Sequence, residues 1–280
     1  MIRFLFLSFS LIQVIASNIV FSTESPKRGL EEGTLRIENE FCRIEFDPRT
    51  GGLSGITNLL TGDEYLKGAT PGVQPFRIYT DITKEFEIAI NEKFQLVFDE
   101  PASICRAVVQ PDTCRLLDAR SGDDLTISYQ SQDLEICLRI ALMKDSGISD
   151  WFLKITNTGK ISRNFLSSFP YMTGVRLGAD SKTNLATAMD QGGIVVPAWE
   201  RPGGVLGESN QLSMQWHAIW DPPTNNAMGL IFMDPKILPK RLVLKEPDID
   251  LQYFPPFTLD PGKSLDLPPF RSEERRVGKE

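Results

Sequence analysis

From Thr34 onward apolar and polar residues alternate with a period of two. Leu35 and Ile37 alternate with Arg36 and Glu38; after Asn39-Glu40, Cys42, Ile44 and Phe46 share one face and Arg43 and Glu45 the other. Such alternation marks a strand with one face buried and one solvated. The run Asp47-Pro48-Arg49-Thr50-Gly51-Gly52 is a turn signal, and 53–57 returns as a strand. Short alternating segments recur at 76–80, 94–98, 104–109, 114–117 and 125–129, and again at 151–156, 165–169, 213–220, 227–233, 241–244 and 249–254. The clearest is 134–143, where Leu134, Ile136, Leu138, Ile140 and Leu142 oppose Glu135, Cys137, Arg139, Ala141 and Met143. Helical spacing never persists beyond about two turns. About fifteen strands without βαβ alternation predict an all-β fold of large antiparallel sheets packed face to face, with few, short helices. Residues 179–210 are Gly-rich and weakly periodic and read as one long loop, the kind of segment that carries function.

The two ends differ from this body. Arg3 followed by the thirteen-residue apolar run 4–16 has the form of a secretory signal, too short for a membrane span of about 20 residues. Residues 1–17 are therefore expected to be cleaved and the domain to be secreted or periplasmic, with no membrane contact afterwards. Residues 18–33 are polar and punctuated by Pro and Gly, an unstructured leader. The formal charge is −7, and it becomes −9 over 17–270, because each end segment contributes +1. Without a basic stripe, a nucleic-acid partner is excluded. Four cysteines permit two disulfides in an exported chain. Cys42 alternates with apolar residues and reads as a buried small hydrophobe, and a hairpin centred on Pro111-Asp112 would not oppose Cys105 and Cys114. Free or mixed cysteines are expected. With no CxxC and with His217 the only histidine, no metal or other cofactor is called for.

Residues 271–280, RSEERRVGKE, resemble the in-frame translation of a short-read sequencing adapter. That resemblance implies a domain ending at Phe270, and a natural chain that continues with other residues. The segment 35–66, LRIENEFCRIEFDPRTGGLSGITNLLTGDEYL, resembles the opening of the galactose-mutarotase-like β-supersandwich that precedes the barrel in several secreted glycoside hydrolases. Downstream, 151–157 (WFLKITN) looks like a strand of that fold ending in Asn, and 168–171 (SFPY) and 213–216 (SMQW) are similar to segments of glycosidases related to endo-α-N-acetylgalactosaminidases. The resemblance spans about 34–260. It implies a carbohydrate-binding or accessory domain over 34–270, inactive alone, whose (β/α)₈ barrel partner carries the catalytic carboxylates.

Glycoside hydrolysis needs two carboxylates facing each other across the bond. Asp190, Glu200, Glu208, Asp221 and Asp234 lie in or near loops in no pattern that fixes such a pair, and read as solvated acids. A mutarotase of this fold uses more than one histidine, which makes a self-contained aldose epimerase, or a lyase built on Tyr171 and His217, the alternative reading. Flat aromatic faces suit the C–H faces of sugars, with amides and acids for the hydroxyls. Trp216 and Trp220 fall about 13 Å apart on one strand face, at about 3.3 Å per residue; they either pack in the core or offer stacking area. Trp199 sits in the Gly-rich loop beside Glu200, and Tyr171 follows a Phe-Pro pair. The carbohydrate candidates are Trp199, Glu200, Tyr171, Trp216 and His217; no catalytic residue is nominated.

Overall fold

The computed structural model describes residues 35–83, 88–90, 96–98, 105–108, 114–178, 184–189, 192–197, 205–208, 216–235, 238, 240–245 and 247–276. Among these every regular element is a strand. A four-stranded antiparallel sheet opens the domain: β1 (Leu35–Glu38), β2 (Cys42–Phe46), β3 (Leu53–Asn58) and β4 (Asp63–Glu64). Then come β5 (Arg77–Ile82), the hairpin β6 (Ile88–Ile90) and β7 (Leu96–Phe98), and β8 (Cys105–Val108). A meander follows, β9 (Arg115–Ser121), β10 (Asp124–Ser131), β11 (Leu134–Leu142) and β12 (Ile148–Asn157), leading to β13 (Arg163–Met172). The remaining strands are β14 (Asn184–Met189), β15 (Gly192–Pro197), β16 (Val205–Glu208), β17 (Trp216–Asp221), β18 (Asn226–Phe232), β19 (Lys240–Lys245), β20 (Asp248–Leu259), β21 (Ser264–Asp266) and β22 (Phe270–Arg276).

Two large sheets dominate. One has ten strands in the order β15-β14-β17-β18-β22-β12-β11-β10-β9, with β21 also paired to β12; the other runs β16-β19-β20-β13-β5-β8. The expected alternation drives their packing. In β10 the buried residues are Leu125, Ile127, Tyr129 and Ser131, and in β11 Leu134, Ile136, Leu138 and Ile140. The four-, six- and ten-stranded sheets share one hydrophobic core. A chain of rings crosses it, Phe46–Trp151–Phe270–Phe232–His217, with successive centroids 6.3, 6.2, 6.0 and 5.5 Å apart.

Two sequence motifs have local physical causes. At the 47–52 turn Gly51 adopts φ +68°, and its carbonyl accepts a 2.7 Å hydrogen bond from the buried Tyr129 hydroxyl. At the end of β12 the fully buried Asn157 donates from Nδ2 to the carbonyls of Ile161 and Leu259, both at 2.8 Å, and accepts from Gly159 N at 2.9 Å. The strand ends in Asn because one amide closes the turn and ties it to β20.

Two expectations change. The 179–210 loop contains β14, β15 and β16, the first two a hairpin. Beyond Phe270, β22 continues through Arg276 inside the ten-stranded sheet. Asp221 and Asp234, read as solvated, are buried. Asp221 Oδ2 accepts from Thr224 Oγ1 (2.6 Å) and Thr224 N (3.1 Å), and Asp234 Oδ2 binds Lys240 Nζ at 2.7 Å. All four cysteines are free thiols, Cys42 and Cys114 buried.

Candidate functional site

The six-stranded sheet turns an apolar face to the core and a polar face away from it. On β20, Ile249, Leu251 and Tyr253 join the core, which leaves Asp250, Gln252 and Phe254 on the opposite face. Strand register then lines up one polar residue per strand: Arg77 opposite Ser168, Ser168 opposite Gln252, Gln252 opposite Arg241. The row crosses β5, β13, β20 and β19. The register of β13 shifts between Ser168 and Tyr171, and Tyr171 falls opposite Asp250.

Direct contacts tie these groups together. The Arg77 guanidinium lies 3.6 Å from the centroid of the Tyr171 ring, and its Nη2 donates to the Tyr171 hydroxyl. That hydroxyl donates to Asp248 Oδ2 at 3.2 Å. Gln252 bridges two charges: Nε2 donates to Asp250 Oδ2 at 2.9 Å, and Oε1 accepts from Arg241 Nε at 2.8 Å. Arg77 Nη1 stands 3.9 Å from Asp250 Oδ2, too far for a hydrogen bond. Asp250 Oδ1 and Ser168 Oγ have no aligned partner among the described residues. The Arg77 side chain is 37% exposed and that of Asp250 10%, so the arginine forms the mouth of the cluster.

Burial raises the Asp250 carboxyl above its ordinary range, against the opposing pull of Gln252, Ser168, Arg77 and Arg241. Burial also raises the phenols of Tyr171 and Tyr79, which stay protonated as donors at neutral pH. Two guanidiniums face two carboxylates, and donors alternate with acceptors. A neutral polyol matches that arrangement, because each hydroxyl both donates and accepts.

Of the residues nominated from sequence, Tyr171 belongs to this cluster. Trp216 and His217 lie on β17 in the ten-stranded sheet. There His217, Ile219 and Asp221 are buried, while Trp216, Ala218 and Trp220 alternate with them, half-buried on the other face. His217 packs on Phe232 in the core, its imidazole pushed down to about 4 by burial. Trp199 and Glu200, like Asp190, lie outside the described residues. Sequence reasoning passed over Arg77, Arg241, Asp248, Asp250 and Gln252. Their signal was the alternation of 249–254, whose polar face reads as solvated until four strands come into register. A separate cavity of about 480 Å³ opens beside β11 and β12 between Phe152, Leu238, Phe257 and Leu265. It is mainly apolar; its Asp234 is tied to Lys240, which suits a hydroxyl-rich ligand less well.

No protein-family model matches the chain, and no curated protein sequence matches it. Solved structures do. A galactose mutarotase related enzyme from Lactobacillus acidophilus aligns over 88% of this chain and 99% of its own, at 8% identity and a TM-score of 0.51. A galactose mutarotase-like protein from Lactobacillus casei aligns over 87% and 100%, at 13% identity and a TM-score of 0.51. The GH36 alpha-galactosidase AgaB from Geobacillus stearothermophilus aligns over 91% of this chain at 11% identity and a TM-score of 0.54, with 41% of its own length covered. At such identities the likeness is one of fold: a galactose-mutarotase-like β-sandwich, found both as most of a chain and as about two fifths of a longer one.

Proposed function

We propose that this chain is the carbohydrate-binding sandwich domain of an extracellular glycoside hydrolase, and that its polar cluster on the six-stranded sheet holds sugar hydroxyls. In this reading the hydrolytic acid and nucleophile belong to a (β/α)₈ barrel outside this sequence, and the sandwich shapes or extends the glycan site. One observation carries the proposal: Arg77, stacked on Tyr171 and 37% exposed, presents its guanidinium at the edge of a network in which Gln252 joins Asp250 to Arg241. A sugar hydroxyl that reaches this edge can accept from the guanidinium and donate to a neighbouring carboxylate. The apportionment between domains is supported by AgaB, in which the shared fold is a minority of the chain.

The test is calorimetric titration of the chain with neutral mono- and oligosaccharides, alongside Arg77→Gln and Asp250→Asn. We expect binding in the parent and at least tenfold weaker binding in both variants, each still folded by circular dichroism. A parent that binds no member of the panel overturns the reading.

A second reading, a self-contained epimerase-type enzyme, is favoured by the near end-to-end match to the two Lactobacillus proteins. The raised Asp250 carboxyl would serve as its proton-transferring group. Accelerated interconversion of α- and β-aldose, followed by polarimetry and lost in Asp250→Asn, decides for it.

A further inference from the structure

One strand joins the two halves of the ten-stranded sheet. β22 lies between β18 and β12; on either side stand β15-β14-β17-β18 and β12-β11-β10-β9. Its inward face runs Phe270, Ser272, Glu274, opposite Phe232, Leu230 and Met228 of β18. A carboxyl thus occupies an inward strand position whose cross-strand neighbour is a buried methionine. Ser272 and Glu274 bring polar groups into an apolar inward face, and their compensation is incomplete.

Compensation is partial. Glu274 Oε1 accepts from Ser272 Oγ at 2.8 Å, Ser272 shares a 2.7 Å hydrogen bond with Ser149, and Trp151 Nε1 donates to Ser149 Oγ at 2.8 Å. Oε2 has no well-aligned partner among the described residues. The titratable groups facing it are Cys42 of β2, Tyr65 and, on its own strand, Glu273. Burial pushes the Cys42 thiol well above its ordinary value and Tyr65 up to about 12, so both stay neutral near pH 7, and the Cys42 side chain offsets part of the burial by hydrogen-bonding the carboxyl.

We propose that β22 seats with Glu274 protonated, and that the joint between the two halves of the sheet weakens as this carboxyl ionises. Burial raises the carboxyl from 4.5 to about 7. A folded value above the unfolded one means that the contribution to stability is present at low pH and lost as pH rises through 7. His217 acts in the opposite sense. Held down to about 4 against 6.5, it contributes stability above 6.5 that is lost as pH falls through 4. The two nearly cancel in the parent between pH 4.5 and 6.5, so the signature lies in the difference between parent and variant.

The experiment is urea unfolding of the full chain from pH 4.5 to 8, with Glu274→Gln and Glu274→Leu. Between pH 4.5 and 7 the folding equilibrium of each variant is expected to gain about 300-fold relative to the parent, from the 2.5-unit gap in pKa. Profiles parallel to the parent's would overturn the proposal. Hydrogen exchange on the parent alone gives a second readout: protection of the β22 amides, corrected for intrinsic exchange, should fall from pH 6 to 8. Unchanged protection would overturn it as well.

Discussion

Replacing Asp234 by alanine strands an ammonium in the core. The Lys240 and Asp234 side chains are 2% and 0% exposed, and Nζ meets Oδ2 at 2.7 Å. Lys240 also donates to the Leu238 carbonyl at 3.1 Å, while Leu238 N donates to the same Oδ2 at 2.7 Å. Burial already lowers the Lys240 value from 10.5, and Asp234 opposes that drop. Without the carboxylate, either the charge stays unpaired or the lysine gives up its proton. Deprotonation caps the loss: releasing at pH 7 a proton held with a pKa of 10.5 costs about 5 kcal/mol, at about 1.4 kcal/mol per unit. Breaking a buried ion pair costs about 3–5 kcal/mol by experience with other proteins, and the two figures agree. Urea unfolding of Asp234→Ala at pH 7 should therefore show a loss of about 3–5 kcal/mol. Sign follows from the lowered lysine: the unfolded chain binds the proton more tightly, so the variant's deficit should shrink by up to about 1.4 kcal/mol per unit from pH 7 to 9. The double variant Asp234→Leu/Lys240→Met removes both charges and should come close to the parent. A single-variant loss under about 1 kcal/mol, or a deficit flat from pH 7 to 9, would refute the buried-pair reasoning.

Two further substitutions probe the scaffold. Asn157→Ala removes three hydrogen bonds at a fully buried position and should cost about 2–4 kcal/mol in chemical unfolding, since each satisfied bond contributes about 1 kcal/mol and orphaned carbonyls add to the loss. Gly51→Ala should cost more than about 2 kcal/mol, because φ is +68° and an added Cβ would stand 2.5 Å from Tyr129 Cε1; Tyr129→Phe, which loses only the bond to the Gly51 carbonyl, should cost about 1 kcal/mol.

The strands of the body were legible because each alternates sharply between an apolar face and a charged one. From Leu134 to Ile140 the buried positions are those of the alternation, while Leu142 is half-buried like Ala141. The hairpin of β14 and β15 was not legible, since Asn-Leu-Ala-Thr-Ala-Met and Gly-Gly-Ile-Val-Val-Pro give little contrast between faces. The candidate site was half visible. Asp250 and Gln252 alternate with Ile249, Leu251 and Tyr253, which identifies a polar face but not what covers it. Sequence carries no record of register, and it is register that sets Arg77 and Arg241 at either end of a row through Ser168 and Gln252. Asp234 was misread for a related reason. An acid beside a proline looks like a surface turn until β19 brings Lys240 to it.

A crystal structure of the chain bound to the tightest sugar of the calorimetric panel probes the polar face most directly. Density for the sugar bridging Arg77 and Asp250, with a hydroxyl in hydrogen-bond reach of each, is the expected result. A sugar seated elsewhere, against Trp216 and Trp220 or in the cavity beside Phe152, with the Arg77 cluster unchanged, would contradict it.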